Sequence, residues 1–174
     1  IALQVAGGRG WDREAALKWL KSVQNPDGGF NYLLGARESD VDVTCAALLA
    51  FSLGGAKKTD IYVKKALNYL RASQCASGGF ASWGTENCES TAMVIQALVS
   101  LGINPQAAEW KQKAGGPVEA LLKYQRPEGS FAHIAGGKGN LMATQQALLA
   151  LGDVQAGENV YQRLIKKQAG KSIN

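Results

Sequence analysis

Ala16-Leu17-Lys18-Trp19-Leu20, then Gln24, then Gly28-Gly29-Phe30, is the stretch that decides the fold, because it comes back twice. The second copy runs Ala66-Leu67-Asn68-Tyr69-Leu70, Gln74, Gly78-Gly79-Phe80. The third runs Ala120-Leu121-Leu122-Lys123-Tyr124-Gln125, then Gly129-Ser130-Phe131, three residues shorter between its alanine and its glutamine. The glutamines are spaced by 50 and 51 residues, and so are the phenylalanines. A period of this length marks a repeat architecture, in which each unit buries its apolar face against its neighbours.

Each copy is followed by a polar loop and then a second helix rich in small residues: Thr44 to Leu53, Thr91 to Leu101 and Leu141 to Leu151. Gly54, Gly102 and Gly152 follow as expected helix stops, since glycine takes the left-handed conformation most cheaply. Asp42, Glu89 and Asn140 stand near the helix starts, where they cap free N–H groups or meet the positive end of the helix dipole. The two helices of a unit differ in kind. The first carries one apolar stripe, Leu17-Leu20-Val23 or Leu67-Leu70, with lysines and arginines elsewhere, as an outer helix does. The second, as in Cys45-Ala46-Ala47-Leu48-Leu49-Ala50-Phe51, has no polar face and reads as an inner helix. Alternation of the two kinds predicts an all-α array of helical hairpins in two curved layers. The units span about 12–54, 60–102 and 106–152, with partial units at both ends. That is one domain over 1–174, about three and a half repeats.

The bulk numbers agree with a globular domain. The chain has 174 residues, of which 46% are apolar, and 21 glycines that recur at turns. The net charge of +5 comes from scattered pairs such as Lys57-Lys58, Lys64-Lys65 and Lys166-Lys167. These are solvated outer faces, so no nucleic-acid partner is expected. No apolar run approaches the ~20 residues of a membrane-spanning helix. The opening Ile1 to Gly8 reads as a helix tail with a glycine stop, and the chain is expected to be part of a longer protein with further domains. The odd cysteine count, Cys45, Cys75 and Cys88, is no disulfide framework. Cys75 and Cys88 flank one loop, and either a disulfide closing it in an exported protein or two free thiols fits the sequence.

The repeated motif, with its aromatic and aliphatic pair, its glutamine and its Gly-x-aromatic turn, resembles the repeat of squalene and other terpenoid cyclases and of protein prenyltransferase β subunits. The resemblance covers nearly the whole chain. It implies an α/α toroid, of which this chain forms a partial or open ring, with the glutamines in a structural role. Proton-initiated terpenoid cyclases of that family carry Asp-x-Asp-Asp-Thr. Here Asp40-Val41-Asp42-Val43-Thr44 places Asp42 on the family's proton-donor position, with Val43 replacing the last aspartate. The competing reading of Asp40 and Asp42 is helix capping. Protein prenyltransferases of the family bind zinc through an Asp-x-Cys and a later histidine. Here Glu86-Asn87-Cys88 takes the first position, but the histidine position falls near Ala143. The one histidine of the chain is His133, so Glu86, Cys88 and His133 make a weak candidate zinc set.

A second periodicity concerns aromatic rings. Tyr32, Trp83 and His133 follow Phe30, Phe80 and Phe131 by two or three positions. They are expected at one end of the array with Asp40, Asp42, Glu86 and Glu89, as a ligand-binding rim. With no complete catalytic set, the first reading is a non-catalytic binding or structural module; the pattern resembles non-enzymatic bacterial members of the family, which implies an exported or surface protein, extracellular or at the cell surface, with the cytoplasm as the alternative. Its ligand would be a small molecule, peptide or surface polymer, and no cofactor is implied. The alternative is an enzyme of the terpenoid cyclase or protein prenyltransferase kind, with Asp42 as its acid.

Overall fold

A computed structural model describes residues 1–8 and 10–171. Among them lie eight α-helices: α1 (Ala2–Val5), α2 (Arg13–Ser22), α3 (Val41–Leu53), α4 (Ile61–Ala72), α5 (Cys88–Ser100), α6 (Pro117–Leu122), α7 (Leu141–Ala156) and α8 (Val160–Lys171). α3 packs on α5, and α5 on α7, to make the inner layer. α4 lies on α3, and α6 on α5. The layering follows the sequence pattern. Leu48 and Ile95 are fully buried, whereas Lys18 and Lys65 are exposed. Ala143, Ala147 and Ala150 of α7 are also fully buried, and their small side chains allow close approach to α5. No described helix is long and apolar enough to cross a membrane.

The repeated residues explain themselves in hydrogen bonds. Gln24 donates from Nε2 to Gly28 O and to Tyr62 O, 2.8 Å each, and so ties its own turn to the start of the next outer helix. Gln74 does the same with Gly78 O at 2.9 Å and Trp110 O at 2.8 Å. The amides thus satisfy turn carbonyls and carbonyls of the following unit. The phenylalanines fill the space between layers, at 2%, 0% and 1% exposure for Phe30, Phe80 and Phe131. Each donates its N–H to a threonine hydroxyl, of Thr44, Thr91 and Thr144 respectively. Each of these hydroxyls in turn donates to the carbonyl of the residue that precedes its inner helix. Gly78, at φ +92°, shows why the turn needs glycine: a Cβ there would stand 2.4 Å from Gly115 O.

Three sequence expectations need correction. The fold is mostly helical but contains a short antiparallel hairpin, β1 (Phe80–Ser82) with β2 (Thr85–Asn87). Its two-residue turn, Trp83-Gly84, has positive φ at both positions, 54° and 77°, which matches the twist of such ribbons. Gly152 does not stop α7; the helix continues to a left-handed cap at Gly157, φ 64°. Gly54 is right-handed at φ −79°, and the left-handed residue is Gly55. The helix starts also shift. Asp40 and Asn87, with Asn140, are the caps, each accepting the N–H three residues on. Asp42 and Glu89 fall inside the first turns instead.

Beyond α7, the chain is held by Asp153. Its carboxylate accepts from Val160 N at 2.7 Å and Asn159 Nδ2 at 2.6 Å, and pairs with Arg163 at 3.2 Å. Burial nevertheless outweighs these partners, and the Asp153 carboxyl is pushed up to about 6. From α8, Gln162 reaches Ser100 O at 2.8 Å. α8 also packs against α1.

Candidate functional site

Loops that precede the inner helices meet one another. The Ser82 hydroxyl of the hairpin donates to Asp40 Oδ2 at 2.6 Å, which joins the first loop to the second. Cys88 N donates to His133 O at 2.9 Å, which joins the start of α5 to the third loop. Asp40 is therefore both helix cap and loop bridge, with each of its carboxylate oxygens engaged.

Of the expected ring series, Tyr32 and Trp83 stack, with centroids 5.7 Å apart and planes at 33°. Trp83 is 79% exposed and holds φ 54°. A bulky residue in that region is an outlier that costs roughly 1–2 kcal/mol. Ser82 and Trp83 stand between two cavities. One, of about 340 Å³, is lined by Tyr32, Asp40 and Tyr69 among others. The other, of about 300 Å³, is lined by Asp42, Glu89, His133 and Met142. His133 is thus at the same rim as Trp83.

Within the second cavity the acidic groups are not equivalent. Glu89 is engaged: His133 Nδ1 lies 2.8 Å from Glu89 Oε2. Asp42 is not. Its Oδ1 is buried and has no hydrogen-bond partner, and the same holds for the hydroxyl of Ser90, which is fully buried. Burial raises the Asp42 carboxyl above its ordinary value, and the neighbouring charges of Asp40 and Glu89 add to this. The Ser90 and Ser82 hydroxyls pull the other way, although Ser90 stands beside the carboxyl without reaching hydrogen-bond geometry. The result is a carboxyl that holds its proton more firmly than a free aspartic acid, at the edge of a small cavity. Capping does not account for it, because Asp40 performs that task.

Glu86 leaves the cluster. Its Oε1 accepts from Ser77 within its own loop, and it lines neither cavity. The zinc set does not assemble: no group of three or more His, Cys, Asp and Glu able to hold a metal exists among the described residues. Cys88 is fully buried, its Sγ lies 3.7 Å from Ala143 O, and burial pushes its thiol up to about 12. Ala143, where the resemblance places a histidine, is thus in the right place with the wrong side chain. Cys45, Cys75 and Cys88 are all free thiols, so the Cys75–Cys88 disulfide does not form. Sequence reasoning passed over Ser82, Ser90 and Asn87.

Comparison with known proteins agrees with this architecture. The prenyltransferase alpha-alpha toroid domain matches residues 2–109 and 91–173. A drimenyl diphosphate synthase of Streptomyces showdoensis is 31% identical over 133 residues, 76% of this chain and 24% of that protein. One from Streptantibioticus cattleyicolor is 34% identical over 86 residues, 49% of this chain and 16% of that protein. The chain therefore spans a quarter or less of the length of these relatives. Among solved structures, the protein geranylgeranyltransferase-I of Candida albicans, complexed with GGPP, superposes with a TM-score of 0.64 over 82% of this chain and 43% of that one. At 18% identity that likeness is one of fold.

Proposed function

The chain belongs to the prenyltransferase alpha-alpha toroid family, and on that premise we propose that it is the acid-bearing part of a terpenoid cyclase that acts on a linear isoprenoid diphosphate by protonating an alkene. The observation that carries this reading is the Asp42 carboxyl: unpartnered at Oδ1, raised by burial and set in a cavity of about 300 Å³. It stands where the family resemblance expects the proton donor. The similarity to two drimenyl diphosphate synthases supports the enzyme over the non-catalytic exported module.

The chemistry follows from the surroundings. Asp42 must hold its proton until an alkene arrives, and burial with two neighbouring carboxyls favours the neutral acid. On transfer it becomes a carboxylate beside a newborn carbocation. That ion pair attracts more strongly in a desolvated cavity than in water. Val43 supplies no second carboxyl, and the buried Ser90 hydroxyl, which has no hydrogen-bond partner, is the donor free to meet the charge left on Asp42. The cavity is acidic, with Asp42 and Glu89 on its wall. Glu89 there disfavours a diphosphate, so the alkene end of the substrate is the part that enters, past a wall that is otherwise polar at Ser82, Thr85 and Asn87. Trp83 and Met142 give that end apolar walls.

The reading also covers organisation. One domain of hairpin units, about 12–54, 60–102 and 106–152, forms part of a ring. Apolar side chains at both edges support this: Trp19 and Leu34 on one side, Leu141 and Leu148 on the other, all more than half exposed. The prenyltransferase alternative is disfavoured by Ala143. To test the cyclase reading, the protein is incubated with farnesyl or geranylgeranyl diphosphate, and products are followed by mass spectrometry. A cyclised diphosphate is expected, and Asp42→Asn lowers kcat by about 10³-fold, within the range for positioned acids, without loss of folding. Full activity in that variant would end the proposal.

A further inference from the structure

We propose that His133, oriented by Glu89, is the base that ends the reaction Asp42 begins; this rests on the cyclase reading above. His133, held by Glu89, is the titratable side chain of the cavity wall that the acid step leaves without a task. Glu89 is anchored, its side chain 15% exposed on the first turn of α5, whereas the His133 side chain is 52% exposed. The 2.8 Å contact is between Nδ1 and a carboxylate oxygen. A carboxylate accepts, so Nδ1 is the donor; when the ring carries one hydrogen, that hydrogen is held at Nδ1 and Nε2 is the nitrogen that can take a proton. The backbone of His133 is held too, through the hydrogen bond from Cys88 N to its carbonyl. Asp42 and His133 line one cavity. A carboxylic acid and an imidazole oriented through Nδ1 thus line the same cavity.

The proton account closes without any co-reactant. Asp42 loses its O–H bond as a C–H bond forms at one alkene carbon, which leaves a cation at the other. Ring closure consumes further π bonds and moves the cation along the chain. His133 Nε2 then takes a proton from a carbon next to the final cation, and the electrons of that C–H bond become a new C=C bond. The net change is an isomerisation. The half-exposed imidazolium gives its proton to solvent, and Asp42 takes one up again. Glu89 stabilises the imidazolium while it lasts.

The test compares wild type, His133→Ala and Glu89→Gln with farnesyl diphosphate, by product mass and by kcat. In His133→Ala the alkene product is expected to fall about 100-fold, with hydroxylated products, formed by water capture of the stranded cation, rising in its place. Glu89→Gln keeps an acceptor for Nδ1 but loses the negative charge, and a smaller drop is expected. Since His133 is half exposed, His133→Ala is expected to fold; a thermal melt checks this, and His133→Gln serves as a second variant if it does not. Unchanged alkene yield and kcat in a folded His133 variant overturn this inference while leaving Asp42 as the acid. No turnover by the wild type would instead remove the cyclase reading beneath it.

Discussion

Replacing Gln74 by alanine removes the clasp between the second unit and the third. Its amide donates to two carbonyls, Gly78 O at 2.9 Å and Trp110 O at 2.8 Å. Each bond contributes about 1 kcal/mol net, and part-buried carbonyls left without donors add to the loss, so about 2–3 kcal/mol is expected. Gln24 makes the same pair of bonds, to Gly28 O and Tyr62 O, and its alanine variant should cost a similar amount. Gln125 occupies the equivalent place in the third copy, yet among the described residues its side-chain amide makes no hydrogen bond, and Gln125→Ala should cost less than about 0.5 kcal/mol. Urea denaturation reads the three directly: with an m-value near 2 kcal/mol/M, the first two shift the midpoint by roughly 1 M and the third hardly at all. Equal losses at all three positions, or none at Gln74, would refute the view that these glutamines fasten one unit to the next.

Two further outcomes follow from strained or buried groups. Asparagine tolerates positive φ far better than alanine, so Trp83→Asn should be more stable than Trp83→Ala by about 1 kcal/mol, while both lose the indole and both turn over more slowly; identical melting curves would remove the claim of backbone strain at the turn. For Asp153, the folded carboxyl sits at about 6 against 3.8 for the free group. The native state therefore binds more protons than the unfolded one between those values, so this group's contribution to stability is complete at low pH and is lost as pH rises toward 6. Urea midpoints at pH 4.5 and 6.5 should show this decline in the wild type and a weaker one in Asp153→Asn.

Much of the fold was legible because it rests on periodic, local signals. The glutamine and phenylalanine spacing marked the units, and the contrast between striped and wholly apolar helices placed Lys18 outside and Leu48 inside. What the sequence hid depends on small differences between neighbours. Asp40 and Asp42 are two residues apart and chemically alike, and only the geometry makes one a cap and leaves the other unpartnered at Oδ1. The hairpin escaped notice because tryptophan is an unfavourable residue at a positive-φ turn position, so Trp83-Gly84 does not resemble a usual turn pair. Tyr32, Asp40, Asp42, Trp83, Glu89 and His133 were all expected at one rim; the loops place Tyr32 and Asp40 on one cavity and Asp42, Glu89 and His133 on a second, with Trp83 on both. Glu86 was expected with them, but a nearer donor, Ser77, claims it. The zinc set failed for a reason of register: the place facing Cys88 belongs to Ala143.

Turnover of a linear isoprenoid diphosphate in heavy water tests the acid role of Asp42 more directly than any other measurement. The product should carry one deuterium on carbon and keep its diphosphate, and with Asp42→Asn the deuterated product should fall by about 10³-fold. Release of inorganic diphosphate, or a product without deuterium, would show that the reaction starts elsewhere than at this carboxyl.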